Sequence, residues 1–310
     1  MAENYKYKYD LLVITGPTAT GKTTLAVNAA FRTGSEIISA DSRQVYRGMD
    51  LGTGKDFDDY KSCGKPVPVH LIDIADAGTK YNVFEYQRDF IRVYNDLNAR
   101  KVFPIVCGGS GLYVDSIISG YRMFEVPPDE ELRERLEPKS MEELTLILRS
   151  YRPLHNITDI DTKKRVIRAI EIEEFNRNRA GVQTKFPELK TLVTAVDVDR
   201  ETRRSRISSR LKQRLDSGMI EEVRRLLASG IDADSLIYYG LEYKYITLYL
   251  IGKLSYDDMF SKLEIAIHQF AKRQMTWFRG MEKKGTVIHW IDGMLPMEEK
   301  VNKILGLLND

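Results

Sequence analysis

The chain has 310 residues, enough for one large domain or two smaller ones. Its 30% charged and 43% apolar residues are typical of a globular protein, and a net charge of +2 means that a nucleic-acid partner would have to bind local basic patches. Two distant cysteines, Cys63 and Cys107, fit no metal spacing. We find no signal peptide and no long apolar run, so we expect a cytoplasmic protein without a membrane partner.

The first motif in the chain is a phosphate-binding loop. An apolar run, Leu11–Ile14, precedes the sequence GPTATGKT, and a helix-compatible segment follows it. Glycines let the loop amides point inward, and the helix N-terminus adds partial positive charge. The loop residues predicted to bind a diphosphate or longer phosphate chain are Gly16, Pro17, Thr18, Ala19, Thr20, Gly21, Lys22 and Thr23. Lys22 supplies a full charge and the Thr23 hydroxyl is placed to bind Mg²⁺, whereas the alternative is a Gly-rich turn without a ligand.

Further strand ends predict where the chemistry lies. Segment 36–40 reads as a second strand and delivers Asp41, which is either a catalytic carboxylate or a turn cap. Segment 67–74 reads as a third strand, with Asp73 as a candidate for water-mediated contact with Mg²⁺. Segment 101–107 reads as another strand and leads into a Gly-rich turn that contains Ser110.

The chain changes character after Gly120. From 121 to about 189 we predict helices over 129–135, 141–151 and 161–177 and no strand. The resulting fold class is α/β: a P-loop NTPase-like parallel sheet flanked by helices, formed by 1–120 and 190–310, with an all-helical insertion domain at 121–189. The insertion is rich in cations, but interleaved acids leave open that it is simply a solvated helical surface.

The C-terminal part combines cations with aromatic residues. Arg206, Arg210 and Arg214 recur at helical spacing beside an apolar stripe of Ile207, Leu211 and Leu215. Such a cationic stripe suits the phosphates of a diphosphate or of a nucleic-acid backbone. Segment 238–245 is dense in tyrosine, which favours either stacking on unpaired bases or packing in a core.

Several motifs in order resemble the bacterial tRNA dimethylallyltransferase family. They are GPTATGKT, DSRQVYRGMDLGTGK, GGSGLY, TKKRVIRAIE and KRQMTWFRG, and together they cover nearly the whole chain. The resemblance implies transfer of a dimethylallyl group from dimethylallyl diphosphate to the N6 amine of an adenosine beside the tRNA anticodon. It also implies Mg²⁺ as cofactor and the tRNA anticodon stem-loop as partner, with no obligate protein partner evident.

The resemblance also implies roles for individual residues. Asp41 would be the base, with Thr18 and Arg210 completing the catalytic set at the diphosphate. Thr23 would be the metal ligand. The residues implied to contact tRNA are Asp41, Ser42, Arg43, Gln44, Ser110, Arg133, Lys164, Arg165, Arg168, Tyr239 and Gly240. The chain departs from the family where Gly240 is followed by Leu241 and Glu242, because the family has tyrosine and then a basic residue there.

Three alternatives remain at this point. A P-loop small-molecule kinase shares the opening motif but has no need of DSRQVY or of the helical insertion. Adenylate isopentenyltransferase would prenylate free nucleotides, against which the insertion and KRQMTWFRG argue. A non-catalytic RNA-binding protein with a vestigial P-loop would bind tRNA without needing Asp41 or Lys22.

Overall fold

The computed structural model of the chain describes residues 7–55, 60–121, 123–154, 160–178 and 186–309. The strands are β1 (Leu11–Thr15), β2 (Glu36–Ser39), β3 (Lys61–Ser62), β4 (Lys65–Pro66), β5 (Val69–His70), β6 (Pro104–Cys107), β7 (Thr191–Asp197) and β8 (His289–Asp292). The helices are α1 (Lys22–Thr33), α2 (Val83–Ala99), α3 (Gly111–Ile118), α4 (Glu130–Leu136), α5 (Met141–Tyr151), α6 (Lys163–Asn178), α7 (Arg200–Asp216), α8 (Met219–Ala228), α9 (Ala233–Tyr238), α10 (Leu241–Leu250), α11 (Tyr256–Lys283) and α12 (Met297–Asn309). None of these helices is both long and apolar enough to cross a membrane.

A parallel sheet with the order β5-β2-β6-β1-β7-β8 forms the centre of the fold. β1 lies between β6 and β7, and all five of its residues are buried. Helices cover the faces of a parallel sheet, which is why the central strand is apolar on both sides. This arrangement confirms the predicted α/β class, with a parallel sheet flanked by helices. The P-loop follows β1 and Asp41 follows β2, two parallel strands separated by β6, so both segments lie at the same, carboxyl edge of the sheet.

The chain divides into two compact units. One consists of Met1–Gly120 with Glu188–Asp310, and the other of Tyr121–Pro187. The first unit contains the sheet and a second apolar core, in which α7, α8, α10 and α11 pack around Tyr46 and Met49. The predicted apolar stripe of α7 is confirmed, since Ile207, Leu211 and Leu215 are all buried in that core.

The third predicted strand is wrong over most of its length. Only Val69–His70 of segment 67–74 joins the sheet, where it pairs with β2. Leu71 and Asp73 have φ angles of 61° and 54°, in the left-handed region that an extended strand excludes. Apolar character at 71–74 therefore serves packing in a turn rather than strand pairing.

The helical unit has a small core with one buried acid beside it. α4, α5 and α6 contribute the buried residues Leu132, Leu136, Leu144, Leu148, Val166, Ile167, Ala169 and Ile170. Glu171 is 2% exposed and accepts hydrogen bonds from the Asp129 amide, at 2.6 Å, and from Arg133 and Arg168. Burial raises the pKa of Glu171, but the Asp129 amide and the two guanidinium groups outweigh it and hold the pKa below its usual value.

We expect Glu171→Gln to destabilise the helical unit by about 1–3 kcal/mol at pH 7, because it removes the charge that the two arginines bind. Since the folded pKa of Glu171 is depressed, its contribution is present above the unfolded pKa and is lost as the pH falls through the folded pKa. Denaturant unfolding at pH 7 and at acidic pH measures both effects. Glu130→Gln, which alters the exposed partner of Arg133, is the matched control and should change stability by less than about 0.5 kcal/mol. A variant as stable as the wild type at pH 7 would contradict this role of Glu171.

Candidate active site

The P-loop has the backbone that its sequence predicts. It joins β1 to α1, with positive φ angles of 142° at Gly16, 65° at Ala19 and 85° at Gly21. A Cβ at Gly16 would lie 2.4 Å from the carbonyl oxygen of Val196, so only glycine allows the loop to pack on β7. The Thr20 hydroxyl donates to the Pro17 carbonyl at 3.0 Å and stabilises the loop from within. The amides at the start of α1 are therefore presented together, as anion binding requires.

Lys22 lies in a cluster of charges from distant parts of the chain. Its ammonium is 3.4 Å from the Pro17 carbonyl oxygen. Burial lowers the pKa of Lys22, Arg210 and Arg214 lower it further, and Asp41 opposes them. Side chains that are far apart in sequence therefore share one electrostatic environment with the P-loop lysine. An incoming anion would relieve the repulsion among these cations.

Two long-range contacts fix Thr18. Its hydroxyl accepts a hydrogen bond from Arg210 of α7, and its amide donates to Gln274 of α11 at 2.8 Å. The structure thus brings the predicted pair Thr18 and Arg210 together. The Gln274 side chain also donates to the Gly109 carbonyl at 2.8 Å, so one buried amide joins the P-loop to the Gly-rich turn after β6. We had not predicted this role for Gln274, although it lies within the KRQMTWFRG motif.

Asp41 lies in a tight turn after β2. Its Oδ1 accepts the Arg43 amide at 2.9 Å, an arrangement that caps the turn and leaves Oδ2 as the second carboxylate oxygen. The Ser110 hydroxyl accepts the Ser42 amide at 2.9 Å and lies 3.2 Å from the Ser42 hydroxyl. A Cβ at Gly108 would lie 2.2 Å from the Ala40 carbonyl oxygen, so the two loops approach as closely as glycine permits. Asp41 is consequently both a turn cap and a rigidly held carboxylate.

The Gly-punctuated loop 50–54 is held by a buried acid. The carboxylate of Glu222 accepts the amides of Asp50, Leu51 and Gly52 at 2.7–3.1 Å. The Tyr243 hydroxyl donates to the same carboxylate at 2.7 Å. Neither Glu222 nor Tyr243 was predicted, because the sequence shows no signal that pairs them with a loop 170 residues away.

The loop also orients two predicted residues. Gln44 donates to the Gly54 carbonyl at 3.2 Å. A Cβ at Gly54 would lie 2.0 Å from a guanidinium nitrogen of Arg214, so Arg214 packs directly on the loop backbone. Loop 50–54 therefore contacts both Gln44, in the turn that follows β2, and Arg214, in the cationic stripe of α7.

Asp73, the candidate for water-mediated contact with Mg²⁺, binds a lysine in the structure, and its contact with Mg²⁺ stays a prediction. The buried ammonium of Lys55 binds the carboxylates of Asp73 and Asp50 and the carbonyl of Tyr46. Asp73 is thus half of a structural ion pair. No cluster of three or more His, Cys, Asp or Glu side chains with metal-binding geometry occurs among the described residues.

The predicted tRNA-contacting aromatic is buried. Tyr239 is 3% exposed, its ring lies 4.6 Å from that of Tyr46, and its hydroxyl bonds to the backbone of Gly78 and Thr79. Its ring therefore has no free face on the Tyr46 side, and the Arg43 guanidinium lies 5.7 Å from the ring centre. Tyr238, by contrast, is 56% exposed. A direct role of Tyr239 and Gly240 in binding tRNA stays a prediction.

The predicted tRNA-binding cations of the helical unit differ in their partners. Arg133 and Arg168 bind Glu171, and Arg165 pairs with Asp161. Lys164 is exposed and makes no ion pair among the described residues. Their contact with tRNA is likewise a prediction.

A cavity of about 620 Å³ lies between the start of α7 and α11. The cations that line it are Arg200, Arg203, Arg204, Lys272 and Arg279. Arg203 is paired with Asp197, while the other four make no ion pair in the described part of the chain. The excess of positive charge makes this cavity suitable for a polyanion.

Comparison with known proteins gives concordant results. A family model described as IPP transferase matches residues 44–281, and one described as isopentenyl transferase matches 9–62. The chain is 63% identical to tRNA dimethylallyltransferase 2 of Bacteroides fragilis, over 97% of this chain and 99% of that protein.

Solved structures agree with this result. The fold is similar to that of a tRNA isopentenylpyrophosphate transferase from Bacillus halodurans, with a TM-score of 0.69, 30% identity and coverage of 97% of this chain and 95% of that one. A eukaryotic dimethylallyltransferase acting on tRNA has the same fold, with a TM-score of 0.72 at 20% identity and coverage of 91% and 73%.

We expect Gln274→Ala to weaken binding of inorganic diphosphate at least about tenfold, because it releases the Thr18 amide and the Gly109 carbonyl together. Calorimetric titration measures the affinity, and thermal melting measures the accompanying loss of stability, about 1–3 kcal/mol. Lys262→Ala, on an exposed face of α11, is the control and should leave both quantities unchanged. Wild-type affinity in the Gln274 variant would show that this amide does not position the P-loop.

Proposed function

The chain belongs to the IPP transferase family, and we propose that it transfers a dimethylallyl group from dimethylallyl diphosphate to the N6 amine of the adenosine 3′ of the tRNA anticodon, releasing diphosphate. The observation that carries the proposal is the link from the P-loop through Gln274 and the Gly-rich turn to Asp41. It connects an anion site to a carboxylate, which is what alkyl transfer from a diphosphate to an amine needs.

The anion site would stabilise the leaving group. As the allylic C–O bond breaks, negative charge accumulates on the diphosphate, and preorganised donors that face this charge lower the barrier. Lys22, the amides at the start of α1 and Arg210 are the donors, with Arg210 oriented by the Thr18 hydroxyl. Their positions are fixed before substrate binds, so little reorganisation is needed during the reaction.

Mg²⁺ is the metal that this site fits. Mg²⁺ bound to phosphates keeps several waters and takes few protein ligands, so one hydroxyl beside the phosphate-binding amides is a suitable protein ligand. Thr23, the second residue of α1, would hold it through its hydroxyl. When bound, Mg²⁺ neutralises part of the charge that develops on the diphosphate.

Asp41 would accept the proton that the adenosine amine loses on attack. Its Oδ1 is engaged by the Arg43 amide, so Oδ2 is the oxygen for the substrate. Within the described part of the chain, Oδ2 accepts no hydrogen bond. A fixed carboxylate at hydrogen-bonding distance from the amine supplies general-base catalysis worth about 10²–10⁴ in rate.

The tRNA would bind over a larger surface. An adenine stacked in a loop has to be extruded before its amine can reach a buried site. The cations of the 620 Å³ cavity and the predicted residues Arg133, Lys164, Arg165 and Arg168 would bind the phosphate backbone, which carries most of the affinity in such complexes. We place this activity in the cytoplasm, where its tRNA substrate is found.

One incubation separates the proposed function from its alternatives. Labelled dimethylallyl diphosphate and Mg²⁺ are supplied with undermodified tRNA, AMP and ATP, and the products are separated. We expect label in the tRNA, on a single adenosine. Label in AMP would indicate adenylate isopentenyltransferase, and turnover of ATP without label transfer would indicate a kinase.

We expect Asp41→Asn to lower kcat for transfer by about 10²–10⁴ while tRNA binds with nearly unchanged affinity. Asparagine keeps an oxygen that can accept the Arg43 amide, so the turn is retained and only the base is lost. Single-turnover kinetics and a filter-binding titration measure the two effects. Loss of tRNA affinity in step with activity would instead make Asp41 a recognition residue.

A further inference from the structure

Glu242 lies in the segment 240–242, where this sequence differs from the family pattern. It is the second residue of α10, after Gly240 with φ 75° and Leu241 with φ 40°. A positive φ at leucine is disfavoured and costs on the order of 1–3 kcal/mol. The surrounding structure has to stabilise this backbone, from which α10 begins, and Glu242 in the first turn of α10 lines a cavity together with residues of α7.

The carboxylate of Glu242 lies in the charged part of the site. Together with Arg210 and Arg214 it lines a narrow cavity of about 10 Å³, closed by apolar residues of α7, α8 and α11. A space of this size holds about one water molecule, and since Glu242, Arg210 and Arg214 are each only partly buried, solvent weakens the interaction among their charges without removing it. Glu242 makes no ion pair among the described residues, and its carboxylate interacts with its own backbone amide.

The ionisable groups near Glu242 come from several elements. α7 contributes Arg210 and Arg214, the turn after β2 contributes Asp41, and α10 itself contributes the neighbouring Tyr243. In the cavity lining, α8 contributes Met219 and α11 contributes Ile267, both apolar, while the buried acid of α8, Glu222, is bonded to the Tyr243 hydroxyl. Burial raises the pKa of Glu242, the two arginines lower it, and Asp41 raises it, with a net increase.

We propose that Glu242 is a proton-uptake residue of the diphosphate site: it is a countercharge to Arg210 and Arg214 in the free enzyme and binds a proton when the diphosphate arrives. The inference rests on the diphosphate site of the proposed function. A diphosphate beside Arg210 places further negative charge next to Asp41 and Glu242, which are both partly buried. Protonation of Glu242 removes one of the repelling charges, and the proton comes from the buffer and returns to it when diphosphate leaves.

The direction of the pH effect follows from linkage. A diphosphate nearby disfavours the charged form of Glu242, so its pKa is higher in the complex than in the free enzyme. Diphosphate therefore binds more tightly at a pH below both values and more weakly as the pH rises between them. One proton changes affinity by at most about tenfold per pH unit. Lys22, whose pKa burial lowers, would also gain proton occupancy, so the test has to separate the two groups.

Calorimetric titration with inorganic diphosphate and saturating Mg²⁺, in buffers of different ionisation enthalpy, counts the protons taken up. The comparison is between the wild type, Glu242→Gln and the control Glu221→Gln, which alters an exposed acid on α8 that pairs with Arg224. We expect the wild type and the control to take up more protons than Glu242→Gln, by up to one per diphosphate. Lys22 and the ligand also exchange protons on binding. They do so in all three proteins, so their contributions cancel when the proton counts are subtracted.

Kinetics provide a second readout. The KM for dimethylallyl diphosphate should rise with pH more steeply in the wild type than in Glu242→Gln, and a merely structural substitution would shift KM equally at every pH. Equal proton uptake by the wild type and Glu242→Gln, or parallel KM profiles, would overturn the inference while leaving the proposed function intact. Failure of the wild type to bind diphosphate at all would contradict the site itself, and the inference with it. If Glu242→Gln does not fold, Glu242→Ala takes its place in the same comparison, and proton uptake equal to that of the wild type again rejects the inference.

Discussion

The amide side chain of Gln274 couples the two halves of the site. It accepts from the Thr18 amide and donates to the Gly109 carbonyl, and it is buried between them. From Gly109 the chain passes to Ser110, whose hydroxyl binds the Ser42 amide beside Asp41. A carboxamide supplies a donor and an acceptor in fixed geometry and carries no charge, so Gln274 can join a backbone N–H to a backbone C=O without adding charge to a cationic pocket.

Charge balance is the second constraint on the site. Arg210 and Arg214 lie close enough to Lys22 to lower its pKa, and Asp41 and Glu242 are acids in the same cluster. Buried like charges are costly, which favours a pocket that is completed by an anion. The same electrostatics that prepare the site for a diphosphate make the protonation of Glu242 sensitive to whether the diphosphate is bound.

Local sequence signals predicted those parts of the fold whose cause is local. Helix α5 has the predicted bounds, 141–151, and its capping box joins Ser140 to Glu143, two residues only three positions apart. The strand predicted at 67–74 was wrong because an apolar run does not reveal a left-handed turn, which ends β5 at His70. The burial of Tyr239 could not be predicted from the sequence either, because a tyrosine near cations is compatible with both base stacking and core packing until its neighbours are known.

The P-loop, the parallel α/β class and the motifs that resemble a family could be predicted from the sequence, because glycine positions, helical periodicity and strand ends act over a few neighbouring residues. Three contacts became known only from the folded chain: Gln274 joins two loops, Glu222 binds the amides of residues 50–52, and Glu242 lines a cavity with the arginines of α7. These contacts join residues separated by as many as 256 positions. Their partners depend on how helices pack against the sheet, and packing is a property of the whole chain rather than of any segment.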